Sequence, residues 1–313
     1  MKEYNISGRE CGQRLDKYIM RILPKAGISF VYKMLRKKNI VLNGKKASGK
    51  ELLCDGDNIR FYLSDDTFSS FAKEDESVGD LAHLMPQIAY EDDDVLIVNK
   101  PSGLLSQRSK ADDISLNEIC LSYVRDAVQT AEDATFRPSV CNRLDRNTSG
   151  LVTFAKTYRA ANILSEAFRD HKIGKFYRCI VMGTPEEALL EGYLEKDFAK
   201  NKVTISDSSN GGSYIKTKVT PIRTAGDICL CEIELFTGKT HQIRAHLAGC
   251  SHPIIGDCKY GNSVINERYR KEYGIRSQML VCHKLVFPNG FKLDLLSGKT
   301  IEISLPKEWQ KVM

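Results

Sequence analysis

The sequence predicts an α+β protein in two parts: a small helix-helix-hairpin domain, then a larger domain built on a mixed, mainly antiparallel sheet. Three observations predict it. Residues 1–63 twice place apolar side chains at helical spacing and then run into an Asn-Gly turn. Residues 64–80 turn abruptly to Ser, Asp and Glu. Residues 81–313 intersperse helical stretches among many short apolar runs, the pattern of segregated strands and helices.

Leu15, Ile19, Ile22 and Leu23 fall on one face of a helix over 12–23, which Pro24 and Gly27 end. Ser29 is placed to cap a second helix, 30–38. Val31, Met34 and Leu35 would point inward, and Lys33, Arg36, Lys37 and Lys38 outward. Ile40-Val41-Leu42 then enters a hairpin at Asn43-Gly44, a pair that accepts the positive φ values of a tight turn, with Lys45, Lys46 and Lys50 beside it. Asp55-Gly56-Asp57 leads into a closing strand, 58–63. The stretch 64–80, with Glu74-Asp75-Glu76, is too polar to build a core and reads as an acidic linker.

In the larger domain, 81–313, Val95 to Asn99 is a buried strand ended by the turn Lys100-Pro101-Ser102-Gly103. Residues 115–129 read as a helix with Ser115 at its cap. A polar loop ending at Gly150 enters a strand from Leu151, and a helix over 158–168 precedes a strand from Phe176 to Met182. Cys229, Cys231, Ile233 and Leu235 alternate with Leu230, Glu232 and Glu234, a strand with one apolar face. A helix over 240–249 and strands near 279–287 and 299–304 complete the domain.

Composition narrows the function. No apolar run reaches membrane-spanning length, and Met1-Lys2-Glu3-Tyr4-Asn5 leads into no signal core, so a cytoplasmic protein without membrane contact is expected. The ten cysteines contain no C-x-x-C pair and sit in apolar surroundings, as Cys179 and Cys282 do, which reads as buried free thiols in a reducing compartment. Charge is unevenly spread. Residues 1–63 hold 14 Lys and Arg against 6 Asp and Glu, a surplus of 8 in a chain whose whole net charge is +6. That concentration suits a polyanionic partner, since each phosphate contact releases counterions.

The chemistry gathers in four strings. Asn142-Arg143-Leu144-Asp145-Arg146-Asn147-Thr148-Ser149-Gly150-Leu151 sets one carboxylate between two guanidinium groups, and flanking cations favour the anionic form of a carboxylate. The others are Lys175-Phe176-Tyr177-Arg178-Cys179, Thr237-Gly238-Lys239-Thr240-His241-Gln242-Ile243-Arg244-Ala245-His246, and His252-Pro253-Ile254-Ile255-Gly256-Asp257. In this order the four resemble the RluA-type pseudouridine synthases over nearly the whole chain. Residues 1–63 resemble the S-four-type RNA-binding domain, named for a ribosomal protein of the small subunit.

The resemblance implies isomerisation of specific uridines in structured RNA to pseudouridine by base flipping, with large-subunit ribosomal RNA the expected substrate. Asp145 would be the catalytic aspartate, either attacking the anomeric carbon or removing the ribose 2′ proton. Arg244 would hold that carboxylate through parallel hydrogen bonds, a fork that lysine lacks. Tyr177, at a strand edge, would stack on uracil and offer its phenol as a proton acceptor. Arg143 would fill the gap left by the flipped base. Arg146 and Thr148 would contact RNA, as would Lys33, Arg36, Lys37, Lys38, Lys45 and Lys46 of the basic domain, and His241 and Gln242 would either contact RNA or support the residues at the site. A Lys-Pro-x-Gly element at 100–103 would shape the mouth of the site.

No phosphate-cradling glycine loop or metal-ligand cluster appears, and His241 and His246 stand five apart rather than the four of a zinc-binding helix pair, so neither metal nor cofactor is expected. Two positions depart from the family pattern, where His is common: Asn142 and Val281. A monomer is expected. The rival reading is a non-catalytic RNA-binding or ribosome-assembly protein; a nucleosidase releasing free uracil is a third.

Overall fold

The computed structural model describes residues 1–6, 10–72, 81–110, 112–124, 136–197, 202–206 and 211–313. The amino-terminal part holds strand β1 (Lys2–Asn5), helices α1 (Leu15–Ile22) and α2 (Ile28–Arg36), and strands β2 (Ile40–Leu42) and β3 (Asn58–Phe61). The strands form an antiparallel sheet in the order β1-β3-β2. Leu15, Ile19, Leu23, Val31, Leu35, Ile59 and Phe61 fill a core of their own, as the helical spacing predicts. Lys33, Arg36, Lys37, Lys38, Lys45 and Lys46 are all exposed.

Several local expectations need correction. Helix α2 begins at Ile28, with the extended backbone of Gly27 at its cap and no side-chain bond there, so Ser29 is no cap but an exposed residue of the first turn. At Asn43-Gly44, φ is 51° and 70°, and Leu42 and Lys45 exchange hydrogen bonds of 3.0 and 2.9 Å. The return arm stops there, however, and β2 pairs with β3 instead. Strand β1, largely exposed, carried no apolar signal.

The stretch read as a linker begins with helix α3 (Asp65–Phe71). Ser64 accepts the Thr67 N–H at its start, and Asp65 and Asp66 suit the positive end of the helix dipole. Phe68 meets Phe61 edge-on at 5.6 Å and Phe71 lies 4.4 Å from Phe30, so this helix belongs to the small core. Two aromatic anchors outweigh the polar composition. Glu74-Asp75-Glu76 lie outside the described residues.

The larger part has strands β4 (Ile88–Glu91), β5 (Val95–Lys100), β6 (Ser139–Val140), β7 (Ser149–Ala155), β8 (Gly174–Met182), β9 (Ala188–Asp197), β10 (Lys202–Ser206), β11 (Ser213–Ala225), β12 (Ile228–Leu235), β13 (Leu280–Val286) and β14 (Thr300–Glu302). Its helices are α4 (Leu116–Tyr123), α5 (Tyr158–Arg169), α6 (Gln242–Gly249) and α7 (Ser263–Tyr273). The sheet runs β10-β9-β11-β12-β8-β13-β7-β5-β4, with β14 added to β13 and β6 to β7. Among the described residues the one parallel pair is β13 with β7, so the sheet is mixed and mainly antiparallel.

Helix α4 ends at Tyr123, and residues 125–129 of the longer helix expected there lie outside the described residues. Ser115 stands at its cap, but its hydroxyl donates to the Glu118 carboxylate rather than accepting a backbone N–H. The thiols also need correction: all ten cysteines are free, yet Cys54, Cys250 and Cys258 are exposed.

The parallel junction positions the site. Gly150 adopts φ +116°, and a Cβ there would stand 2.3 Å from the Cys282 carbonyl oxygen. Only glycine lets β7 approach β13 so closely, and this contact fixes where the loop before β7 emerges.

Candidate active site

The loop from Asn142 to Thr148 is held by bonds that do not engage its carboxylate. Asn142 accepts the Thr153 N–H at 2.7 Å, so this position serves the start of β7. Buried Leu144 is anchored through Ser106, whose hydroxyl donates to its carbonyl at 3.0 Å and accepts its N–H at 3.1 Å. Lys100 is fully buried and donates from Nζ to the carbonyls of Pro101, Leu104 and Arg146 at 3.0, 2.8 and 3.1 Å. That ammonium ties the Lys-Pro-Ser-Gly turn to the Asp145 loop. Burial draws its pKa down to about 7, against the pull of the Asp145 charge.

Asp145 is partly exposed at the wall of a cleft of about 900 Å³, and its Oδ2 accepts from Arg244 Nη1 at 2.9 Å. Arg244 lies in the first turn of α6 and is buried. Its other two donors go elsewhere: Nε and Nη2 bind Asp257 Oδ2 and Oδ1 at 2.7 and 2.9 Å. The expected parallel bonds therefore exist, but to Asp257, and Asp145 receives one bond. Fork geometry explains this, since Nε and Nη2 form one edge of the guanidinium and a single carboxylate saturates it.

Burial opposes ionisation of Asp257, but Arg244 and the N–H groups of Lys259 and Tyr260 hold its carboxyl below the usual range. Burial likewise disfavours the Arg244 cation, but Asp257 and Asp145 outweigh it and raise its pKa. The Tyr260 ring lies 5.3 Å from the guanidinium carbon and completes its cage. Asp257 ends the fourth string, and the sequence carries no sign of its role because its partner lies on another element.

Tyr177 is buried on β8, which runs between β12 and β13, so it stands on an interior strand and not at an edge. It still lines the cleft. Burial, Cys282 and the Asp145 charge push its phenol well above the ordinary range, so it meets a substrate as a neutral hydroxyl. His241 takes a left-handed backbone, φ 57°, at the start of α6, with Nδ1 3.1 Å from the Tyr260 hydroxyl and Nε2 3.8 Å from Asp145 Oδ2. Burial, only partly offset by Asp145, lowers its pKa and leaves it neutral at pH 7.

Two residues expected near the RNA are buried, and Gln242 takes the supporting one of its two expected roles. Gln242 is 2% exposed; its amide donates to the Lys216 carbonyl and the Thr217 hydroxyl, while its oxygen accepts from Thr237 and the Lys239 N–H. It braces the turn before α6. Thr148 is 3% exposed and accepts from Gln278 at 3.1 Å. Arg143 and Arg146 are exposed at the cleft, though Arg146 turns its Nε to the Gly103 carbonyl at 3.0 Å. The carboxylate's partner is thus Arg244, distant in sequence, in place of the neighbouring guanidinium groups.

Residues 94–249 match the family described as RNA pseudouridylate synthase. An uncharacterized RNA pseudouridine synthase of Mycoplasma genitalium is 31% identical, over 88% of this chain and 86% of its own. Ribosomal large subunit pseudouridine synthase C of Rickettsia bellii is 30% identical, over 90% of this chain and 93% of its own. The solved human RNA pseudouridylate synthase domain containing 4 shares the fold with a TM-score of 0.57 at 20% identity, covering 72% of this chain and 92% of that one. The chain belongs to the RluA family of RNA pseudouridine synthases. It is an isomerase that acts on RNA.

Proposed function

We propose that the protein converts specific uridines of large-subunit ribosomal RNA to pseudouridine, with Asp145 as its catalytic aspartate. The observation that carries the reading is the Asp145–Arg244 contact at the wall of a cleft that Tyr177 also lines. Two relatives named as large-subunit enzymes support the choice of RNA.

The reaction breaks the bond between uracil N1 and the anomeric carbon, turns the base, and rejoins it through C5, which then loses its proton while N1 takes one up. Hydrolytic glycosidases generally use two carboxylates, one of which protonates the leaving oxygen. Uracil leaves as a delocalised anion, so one carboxylate suffices. Asp145 acts at the ribose, by attack at the anomeric carbon or by removal of the 2′ proton, and both require an anion. Arg244 holds that anion in place and is itself held by Asp257. Tyr177 offers a ring for the base to stack on.

A paired base must leave its stack to reach Asp145, at a cost of a few kcal/mol, and exposed Arg143 fills the gap it leaves. Residues 1–72 act as an S-four-type RNA-binding domain, whose lysines and arginines grip phosphates without reading sequence. The test maps pseudouridine in large-subunit ribosomal RNA from cells lacking the protein, then restores wild type or Asp145→Asn. A position that loses its pseudouridine, and regains it only with wild type, is the expected result. An unchanged map would reject the substrate.

A further inference from the structure

The cleft that Asp145 and Tyr177 line is also lined by Arg169, His171, Lys175 and Lys239, which the chemistry at Asp145 does not use. Lys175 precedes Tyr177 by two positions on β8, so both side chains leave the same face of the sheet. It is 8% exposed, and its Nζ lies 3.6 Å from where a Cβ on Gly238 would stand, so the ammonium sits beneath the turn before α6. Among the described residues no carboxylate pairs with it.

Further basic groups line the cleft with it. His171 sits in the turn after α5 with φ 56°. His171 is exposed, and partial desolvation and then the charges of Lys175 and Lys239 lower its pKa, so its ring is neutral and donates through N–H. The neighbouring acid, Asp170, is taken by Arg169 and Lys172 at 3.0 and 3.3 Å. A buried ammonium without a counter-charge is destabilising unless an anion completes the group. Gly238 and Lys239 are exposed above it, and the glycine has no side chain to bar a strand's approach.

We propose that Lys175, Lys239 and His171 form a phosphate subsite that takes a backbone phosphodiester of the RNA strand carrying the target uridine. The inference rests on the reading of Asp145 as the catalytic end of the same cleft. It adds the anchor that sets where the strand lies when its nucleotide enters. Lys175 and Lys239 neutralise the phosphate, and the His171 N–H adds a directional bond.

The test uses full-length protein and a short synthetic RNA hairpin whose loop carries one uridine from large-subunit ribosomal RNA. Phosphodiesters near that uridine are replaced one at a time by uncharged methylphosphonates, and binding is measured for wild type, Lys175→Met and Lys239→Met. At one linkage, neutralisation should weaken wild-type binding about tenfold, and the same change should cost the lysine variants little more. Lys239 is exposed, so its variant keeps the test usable if Lys175→Met does not fold. Losses that add independently at every linkage would overturn the proposal. So would inorganic phosphate that binds the lysine cluster without competing with the RNA, which would assign it to a free anion. Pseudouridine is scored in the same samples. Its absence with intact phosphate coupling would count against the catalytic reading alone.

Discussion

Arg244 and Asp257 are joined by two parallel hydrogen bonds of 2.7 and 2.9 Å, and this pairing leaves Nη1 as the donor that meets Asp145. Asp257 is fully buried, so the arginine is aimed by a carboxylate that no substrate touches. Arg244→Lys removes the fork, cannot serve both acids and strands a buried charge. It should lose most activity and about 3–5 kcal/mol of stability. Asp257→Asn keeps the shape but loosens the aim, and kcat should fall by roughly 10- to 100-fold with KM changed much less. Single-turnover rates and denaturant unfolding of both variants decide the matter; a wild-type kcat in Asp257→Asn would show that the pairing does not position Asp145.

Acid should weaken the fold through His246. The ring is 4% exposed, its Nδ1 lies 2.9 Å from the Thr217 hydroxyl, and its Nε2 is buried without a hydrogen-bond partner among the described residues. Burial lowers its pKa to about 4. Between that value and the ordinary histidine range the unfolded chain binds the extra proton, so stability falls as pH drops from about 6.5 to about 4, by roughly 3 kcal/mol in all. Urea unfolding at intervals across that window should show the slope in wild type and a flatter line in His246→Leu.

Gly150→Ala tests the junction beneath the loop. The added methyl would collide with the Cys282 backbone from both its nitrogen and its carbonyl, at 2.5 and 2.3 Å. Neither strand can yield without breaking the pairing of β7 with β13. A loss of at least about 2–4 kcal/mol is expected, read as a lowered thermal midpoint or an insoluble product. A fold of unchanged stability would mean that the approach is looser than described.

These particulars show what was legible in the sequence. The small core was readable because Leu15, Ile19, Val31 and Leu35 repeat at helical spacing, and β8 and β12 because apolar runs and alternation mark a sheet face. Strands β9 and β11 leave no clear signal: they sit toward one end of the sheet, and exposed positions such as Leu189 and Ile222 break the alternation. Helix α3 was hidden because its short polar sequence depends on Phe68 and Phe71 finding partners in the small core. In the site, Asp145, Tyr177 and Arg244 were visible as strings. Which donor meets which carboxylate was not, because Asp257 and Arg244 meet only when α6 packs beside the loop that follows it.

The basic face of the small domain should supply electrostatic grip and little of the chemistry. Lys37, Lys38, Lys45 and Lys46 are exposed and separate in sequence from Asp145. Replacing the four by Ala should reduce the slope of log affinity against log salt by about three units, at roughly 0.7–0.9 per phosphate contact. Turnover at saturating RNA should fall far less than affinity. Equal salt slopes for the variant and wild type would return these residues to an ordinary solvated surface.

The central claim rests on the carboxylate of Asp145, and its most direct test is the pseudouridine yield of Asp145→Asn on large-subunit ribosomal RNA. The substitution removes the charge that both mechanisms need while hardly changing volume, so it acts on the transition state and not on RNA binding. Pseudouridine formation should disappear while RNA affinity stays within a few-fold of wild type. Near-normal formation by Asp145→Asn would contradict the assignment.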